Sequence, residues 1–88
     1  MKVELRGTIR AALGSDELEI AVPTDGVPLS NLLQELARDN PRARPYLGDQ
    51  RGEAALHVVH NGAALTSGAD PLVREGDRLL LLHAVAGG

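Results

Sequence analysis

A chain of 88 residues holds one small domain, and its formal charge of −3 with scattered arginines leaves no basic segment for binding nucleic acid. The absence of cysteine excludes a disulfide framework and a thiolate metal site. The longest apolar run, Leu79–Leu82, is too short to span a bilayer, and the alternating N-terminus lacks the apolar stretch of a signal peptide. We therefore expect a cytoplasmic protein whose partners include neither nucleic acid nor membrane.

Two alternating segments open the chain. Apolar residues at every second position predict a strand over Lys2–Ala11 with one wet face. After the turn residues 14–16, a second alternation over Leu18–Val22 predicts the other strand of an N-terminal hairpin.

The apolar period changes to 3.6 residues over Leu29–Ala37, which predicts an amphipathic helix. Pro28 suits its first turn, where a missing N–H would be unpaired anyway. Asn40-Pro41 ends the helix, because proline disfavours α geometry in the residue before it.

Residues 41–54 hold two prolines and two glycines without a clear period, which predicts a long irregular connection. We expect its Tyr46 and Leu47 to pack under the sheet. A third strand is predicted over Leu56–His60, and Asn61-Gly62 after it is a strong hairpin-turn signal.

The last third of the chain is predicted to be mostly strand and turn. A short segment 63–65 and an irregular stretch 66–71 lead to Leu72-Val73. A turn over residues 74–77, with Gly76 at the position that favours positive φ, precedes the final strand Arg78–His83. The predicted class is α+β, with a mixed sheet of about four to five strands and one main helix across one face.

Gly87-Gly88 follow this strand at the end of the sequence. Two glycines make a thin, adaptable strip of backbone that can enter a narrow channel in another protein. Residues 83–88 reach about 20 Å when extended. We expect a domain over residues 1–82 and a flexible tail over residues 83–88, with a merely frayed end as the alternative.

The order of elements and three short motifs resemble the β-grasp, ubiquitin-like sulfur carriers of the MoaD and ThiS families over essentially the whole chain. Val59-His60-Asn61-Gly62 is similar to the family turn V-N-G, and Glu75-Gly76-Asp77 to the family turn x-G-D. Ala84–Gly88 is similar to the P-x-V-A/S-G-G end. Two departures are His60, where the family commonly has an apolar residue, and His83, where it commonly has proline.

The resemblance implies a role for the tail. In these families a separate adenylating enzyme of the ubiquitin-activating type uses ATP to convert the terminal carboxylate to an acyl-adenylate, and sulfur then replaces AMP. By this resemblance Gly88 carries the adenylate and then the thiocarboxylate, while Gly87, Ala86 and Val85 enter the partner's active site. The carrier itself binds no cofactor, and only the activating enzyme consumes ATP.

A docking surface is predicted beside the tail. Period two in the last strand sends Leu80 and Leu82 to the face opposite Leu79 and Leu81. By register with the family, we expect Leu80, Leu82 and Val59 to form a partner-binding patch on the open face of the sheet; a loop or dimer contact that covers them is the alternative.

No catalytic or metal site is predicted. His57 and His60 are three residues apart on a strand and therefore point to opposite faces. Glu75 and Asp77 are interpreted as turn residues that could also meet a basic partner surface near the tail. The serines lack a histidine in a matching sequence context, so the protein is expected not to be an enzyme.

Three functions remain open. The first is a sulfur carrier, either as the small subunit of a molybdopterin synthase or for cysteine, thiamin or secondary-metabolite synthesis with a cysteine-synthase-like acceptor. The second is a ubiquitin-like modifier joined through Gly88 to lysines of target proteins, for which the single Lys2 allows little chain-building. The third is an interaction domain with an inert tail.

Overall fold

Short strands and helices alternate along the chain in the computed structural model, which describes residues 1–47, 56–66 and 69–83. The elements in these ranges are β1 (Lys2–Gly7), α1 (Thr8–Leu13), β2 (Glu17–Glu19), β3 (Val27–Pro28), α2 (Leu29–Asp39), a 3₁₀ turn (Pro41–Ala43), α3 (Arg44–Leu47), β4 (Leu56–His60), β5 (Ala63–Ala64), β6 (Leu72–Val73) and β7 (Leu79–His83). None of the helices in these ranges is long and apolar enough to cross a membrane.

Five of the strands form one mixed sheet in the order β2-β1-β7-β4-β5. The central strand, β7, runs parallel to β1 and antiparallel to β4. Both edges of β7 are therefore hydrogen-bonded, which fits its run of four leucines. β3 and β6 pair separately as a two-stranded antiparallel sheet.

The main helix α2 covers one face of the five-stranded sheet, as the apolar period predicts. Its buried stripe consists of Leu29, Leu32, Leu33 and Leu36. Opposite this stripe, β1 and β7 contribute Val3, Leu5, Leu79 and Leu81, each at most 2% exposed. The helix ends at Asp39 with Asn40 as its C-cap, as predicted from Pro41.

The first strand is shorter than predicted. It ends at Gly7, and residues Thr8–Leu13 form the helix α1 instead of continuing to Ala11 as a strand. Gly7 adopts φ 75°, which breaks the strand, and Ile9 and Leu13 then lie four residues apart on one helical face that packs on the core. Ile9 fits the alternation of β1, but its spacing to Leu13 is that of a helix face.

The hairpin of β1 and β2 is confirmed by the antiparallel pair Val3↔Leu18, although β2 covers only Glu17–Glu19. Pro28 stands at the N-cap of α2 rather than inside its first turn. The connection predicted as irregular over residues 41–54 contains the 3₁₀ turn and α3 up to Leu47; residues 48–55 lie outside the described part.

The N-terminus of α2 is capped from a distant segment. The carboxylate of Asp70 accepts a bond from the Ser30 backbone N–H at 2.7 Å and one from the Ser30 hydroxyl at 2.9 Å. The Leu29 N–H donates to the Pro71 carbonyl at 2.9 Å. These contacts satisfy backbone donors that the first turn of a helix leaves free.

Candidate functional site

The last strand ends at His83, and this end of β7 is where the C-terminal segment begins. The sequence predicted His83 both as the end of the last strand and as the start of the tail, and the structure has it in β7, paired in parallel with Gly7 and only 4% exposed. The predicted tail residues Val85, Ala86, Gly87 and Gly88 lie outside the described residues. The site that the structure defines is therefore the root of the tail.

Gly7 lets the β1 backbone approach β7 at this root. A Cβ on Gly7 would lie 2.1 Å from the carbonyl oxygen of His83, a separation that no side chain tolerates. The sequence contains a signal for this contact, since glycine inside a strand pattern often marks a close backbone approach. The adjoining Thr8, which bonds to His83, carries no such signal in the sequence.

The predicted docking residues share the open face of the sheet. Leu80 and Leu82 are half-buried, whereas Leu79 and Leu81 on the opposite face are at most 2% exposed. Val59 pairs directly with Leu80, so these two side chains are neighbours on the same face. The geometry predicted for this patch is present, and its role in docking stays a prediction.

Charged side chains flank the apolar patch along β1. The register places Glu4 beside Leu80 and Arg6 beside Leu82. An Arg6 guanidinium nitrogen lies 3.3 Å from a Glu4 carboxylate oxygen. The apolar patch therefore has a polar border on its β1 side. An apolar centre with a polar rim is typical of protein interfaces.

Two of the family-like turn motifs meet at the opposite end of β7. His60 Nε2 lies 2.8 Å from a carboxylate oxygen of Asp77, and Asn61 Oδ1 accepts the Arg78 N–H at 2.8 Å. Two hydrogen bonds lower the pKa of Asp77 below its ordinary value: the larger effect comes from the Arg74 backbone N–H and the smaller one from His60. The two turns therefore hold each other in place.

Glu75 and Asp77 lie before β7, away from the root of the tail. Glu75 and Asp77 precede Leu79, the first residue of β7, whereas the tail follows His83 at the other end of that strand. They therefore lie at the end of β7 opposite the root of the tail, and their contact with a basic partner surface stays a prediction. Their hydrogen bonds support the interpretation as turn residues.

The Met1 ammonium group lies close to the same turn. It donates to the Ile20 carbonyl at 2.7 Å and contacts the carboxylates of Glu75 at 3.0 Å and Glu19 at 3.2 Å. The hydrogen bond to Glu75 is the main cause that raises the pKa of this ammonium group. The contact ties the turn before β7 to the end of the N-terminal hairpin.

The remaining polar candidates are dispersed. His57 is exposed on β4, and His60 is half-buried and engaged with Asp77. Ser15 bonds within its own turn and Ser30 bonds to Asp70, whereas Ser67 lies outside the described residues. Across residues 1–47, 56–66 and 69–83, no group of three ligand-type side chains is placed to hold a metal ion.

A mixed sheet with its first and last strands parallel at the centre, and a helix across one face, defines the chain as a ubiquitin-like protein of the β-grasp fold. The chain belongs to the ThiS family, whose model matches residues 3–88. The predicted fold and the family resemblance are thereby confirmed.

Solved structures with the same fold cover nearly all of the chain. Small archaeal modifier protein 1 (SAMP1) from Haloferax volcanii is 24% identical, with a TM-score of 0.75 over 100% of this chain and 98% of that one. SAMP1 from Methanosarcina acetivorans is 26% identical, with a TM-score of 0.69 and coverage of 99% and 94%. A putative molybdopterin converting factor subunit 1 from Pyrococcus furiosus is 22% identical, with a TM-score of 0.70 and coverage of 96% and 95%. Comparison with curated protein sequences finds no match.

Proposed function

We propose that this protein is a sulfur carrier whose Gly88 carboxylate is activated by a separate adenylating enzyme. The observation that carries the proposal is the family match, which runs from residue 3 through Gly87-Gly88. The structure adds that the C-terminal segment follows β7, the central strand of the sheet. A diglycine that follows a rigid strand suits delivery of a carboxylate into a partner's active site.

The chemistry proceeds in two displacements. The Gly88 carboxylate oxygen attacks the α-phosphorus of ATP, the bond to the β-phosphate oxygen breaks, and pyrophosphate leaves. Sulfide then attacks the acyl carbon and AMP leaves with the carboxylate oxygen, which yields the thiocarboxylate; a persulfide donor requires a thiol reductant to release it. ATP is bound and consumed by the activating enzyme, so the carrier needs no cofactor and is not an enzyme.

The open face is the proposed docking surface for both partners. Leu80, Leu82 and Val59 supply its apolar centre, and the charged β1 residues supply one rim. The partners are the adenylating enzyme and a sulfur-accepting biosynthetic enzyme, either a molybdopterin synthase large subunit or a cysteine-synthase-like enzyme. We place this chemistry in the cytoplasm.

A ubiquitin-like modifier is the second candidate, and the similarity to two archaeal modifier proteins favours it. In that case a lysine amine of a target protein, rather than sulfide, attacks the activated Gly88 carbonyl and forms an isopeptide bond. Both candidates share the adenylation step and differ in the nucleophile.

The deciding experiment is the intact mass of the protein purified from its own cells without a C-terminal tag. A species in which sulfur replaces one oxygen at Gly88 establishes the carrier. Unmodified acid together with larger species joined through Gly88 to lysines favours the modifier. Unmodified acid alone, with full function after deletion of Gly87-Gly88, contradicts both.

The docking surface has its own test with a matched control. Leu80→Ala and Leu82→Ala are expected to raise the KM of the adenylating enzyme for this protein, because each removes apolar area from the patch. Leu72→Ala removes an exposed leucine on β6, outside the five-stranded sheet, and should leave the KM unchanged. If all three substitutions change the KM equally, the docking surface lies elsewhere.

A further inference from the structure

His83 is unusual in the core because it is polar. Among the described residues it is the one polar or charged side chain that is buried, at 4% exposure. It is also the last residue of β7, directly before the segment that carries Gly87-Gly88. A buried polar group requires hydrogen-bond partners, so the residues around it indicate what it holds.

Thr8 forms two hydrogen bonds with this one residue. The Thr8 hydroxyl donates to the His83 carbonyl oxygen at 3.0 Å, and Thr8 Oγ1 lies 2.5 Å from His83 Nδ1. A hydroxyl has a single proton, and a carbonyl can only accept. A hydroxyl that donates to the carbonyl can only accept at Nδ1, so this pair of bonds requires the tautomer with a proton on Nδ1.

Two further contacts restrain the same residue. The Tyr46 ring lies edge-on to the His83 imidazole, with centroids 4.8 Å apart and an interplanar angle of 72°. On the backbone side, Gly7 pairs with His83 so closely that a Cβ would collide with the His83 carbonyl oxygen. The β1–α1 junction and α3 thus meet at the final residue of β7.

We propose that Thr8 and His83 are positioning residues for the activation of Gly88. The Thr8–His83 pair anchors the root of the tail, so that the five residues Ala84–Gly88, which reach about 17 Å, start from a fixed point and direction. This inference rests on the proposed function. In this proposal, a contact on the helix side of the sheet directs the tail into the partner's active site. The docking patch lies on the opposite, open face.

The first test compares Thr8→Val with Thr8→Ser in ATP–pyrophosphate exchange catalysed by the adenylating enzyme of the same cells. Valine keeps the shape of threonine but removes both hydrogen bonds, and serine keeps the hydroxyl. Releasing one anchored residue should lower kcat about 5- to 30-fold in Thr8→Val. The KM should stay within about twofold because the docking patch is intact, and Thr8→Ser should retain the wild-type kcat.

A Thr8→Val variant with unchanged kcat, or with a raised KM alone, would overturn the proposal. A loss of kcat that Thr8→Ser shares would do the same, because the hydroxyl would then be irrelevant. Urea unfolding of each variant confirms that the compared proteins are folded at the assay temperature.

The second test needs no partner and separates this inference from the proposed function. Long-range ¹H–¹⁵N NMR of the wild-type protein should show a proton on His83 Nδ1, and an unprotonated Nδ1 would refute the double anchor, in which Thr8 donates to the carbonyl and accepts from the ring. In Thr8→Val, amide exchange should rise about tenfold at Leu82 and His83 but not at Leu79. If wild-type protein is never adenylated, the proposed function fails while these NMR results still decide whether the anchor exists.

Discussion

Replacing Gly7 with alanine tests the close approach of β1 to the end of β7. The added Cβ would lie 2.1 Å from the His83 carbonyl oxygen, and Gly7 adopts φ 75° and ψ −145°, a region that alanine avoids. The backbone strain costs about 1–3 kcal/mol. The two strands must also separate at their ends, which sacrifices one or two hydrogen bonds at about 1 kcal/mol each. We expect Gly7→Ala to lower the free energy of unfolding by about 3–4 kcal/mol.

Gly14→Ala is the matched control at the other end of α1. Gly14 also has a positive φ, of 70°, but nothing lies within 4 Å of the position that a Cβ would occupy there. Alanine at this site incurs only the cost of the left-handed conformation, about 1–2 kcal/mol. The two variants should therefore differ by about 2 kcal/mol, which combines the steric contact with His83 and the less favourable backbone conformation of Gly7.

Urea unfolding measures this difference. A domain of this size has a total stability of about 4–13 kcal/mol. With an m-value of about 1 kcal/mol/M, the midpoint of Gly7→Ala should lie about 2 M below that of Gly14→Ala. Equal midpoints for the two variants would refute the argument that Gly7 is required by its contact with β7.

Three further predictions concern other elements. Asp70→Ala should lower the free energy of unfolding by about 1 kcal/mol because it removes the cap of α2, whereas Asp70→Asn should retain most of it; urea midpoints check this. Leu81→Ala should cost about 2–5 kcal/mol by opening a cavity in the core, whereas Leu82→Ala on the open face should cost markedly less; comparable losses would contradict the assigned faces. The pKa of Asp77 is lower in the folded than in the unfolded protein, so the ionised carboxylate stabilises the fold. This stabilisation is complete above the ordinary carboxyl pKa near 4 and is lost as the pH falls through the lower folded-state pKa. Asp77→Asn should therefore flatten the acid side of a stability–pH profile.

Local patterns in the sequence predicted the elements that neighbouring residues determine. The bounds of β4 over Leu56–His60 are confirmed, as is the Asn61-Gly62 turn, in which both residues have positive φ. Period two also separated Leu79 and Leu81 from Leu80 and Leu82, and the register with the family placed the second pair on the open face, where the structure has it. These features are readable because each depends on side chains that are close in sequence.

The elements that were missed depend on distant partners. The helix α1 begins where Gly7 breaks the strand with a positive φ, and the β7 backbone, 76 positions along the chain, leaves no room for a side chain at Gly7. The cap of α2 comes from Asp70, 40 residues beyond Ser30, and no pattern near the helix indicates it. Likewise, the contact of His83 with Thr8 was not predicted, because the two residues are 75 positions apart.

Periodicity and turn residues, which are local, determined from the sequence alone the α+β class and the position of the main helix. The resemblance of three short motifs to a known family added the ubiquitin-like fold and marked the diglycine as the candidate site. Only the tertiary structure decided that the turn after β4 and the turn before β7 bond to each other through His60 and Asp77. It also decided that Gly7, Thr8 and Tyr46 meet at His83, the tail root. The physical reason is that these contacts arise when β7 inserts between β1 and β4, and no single segment encodes that arrangement.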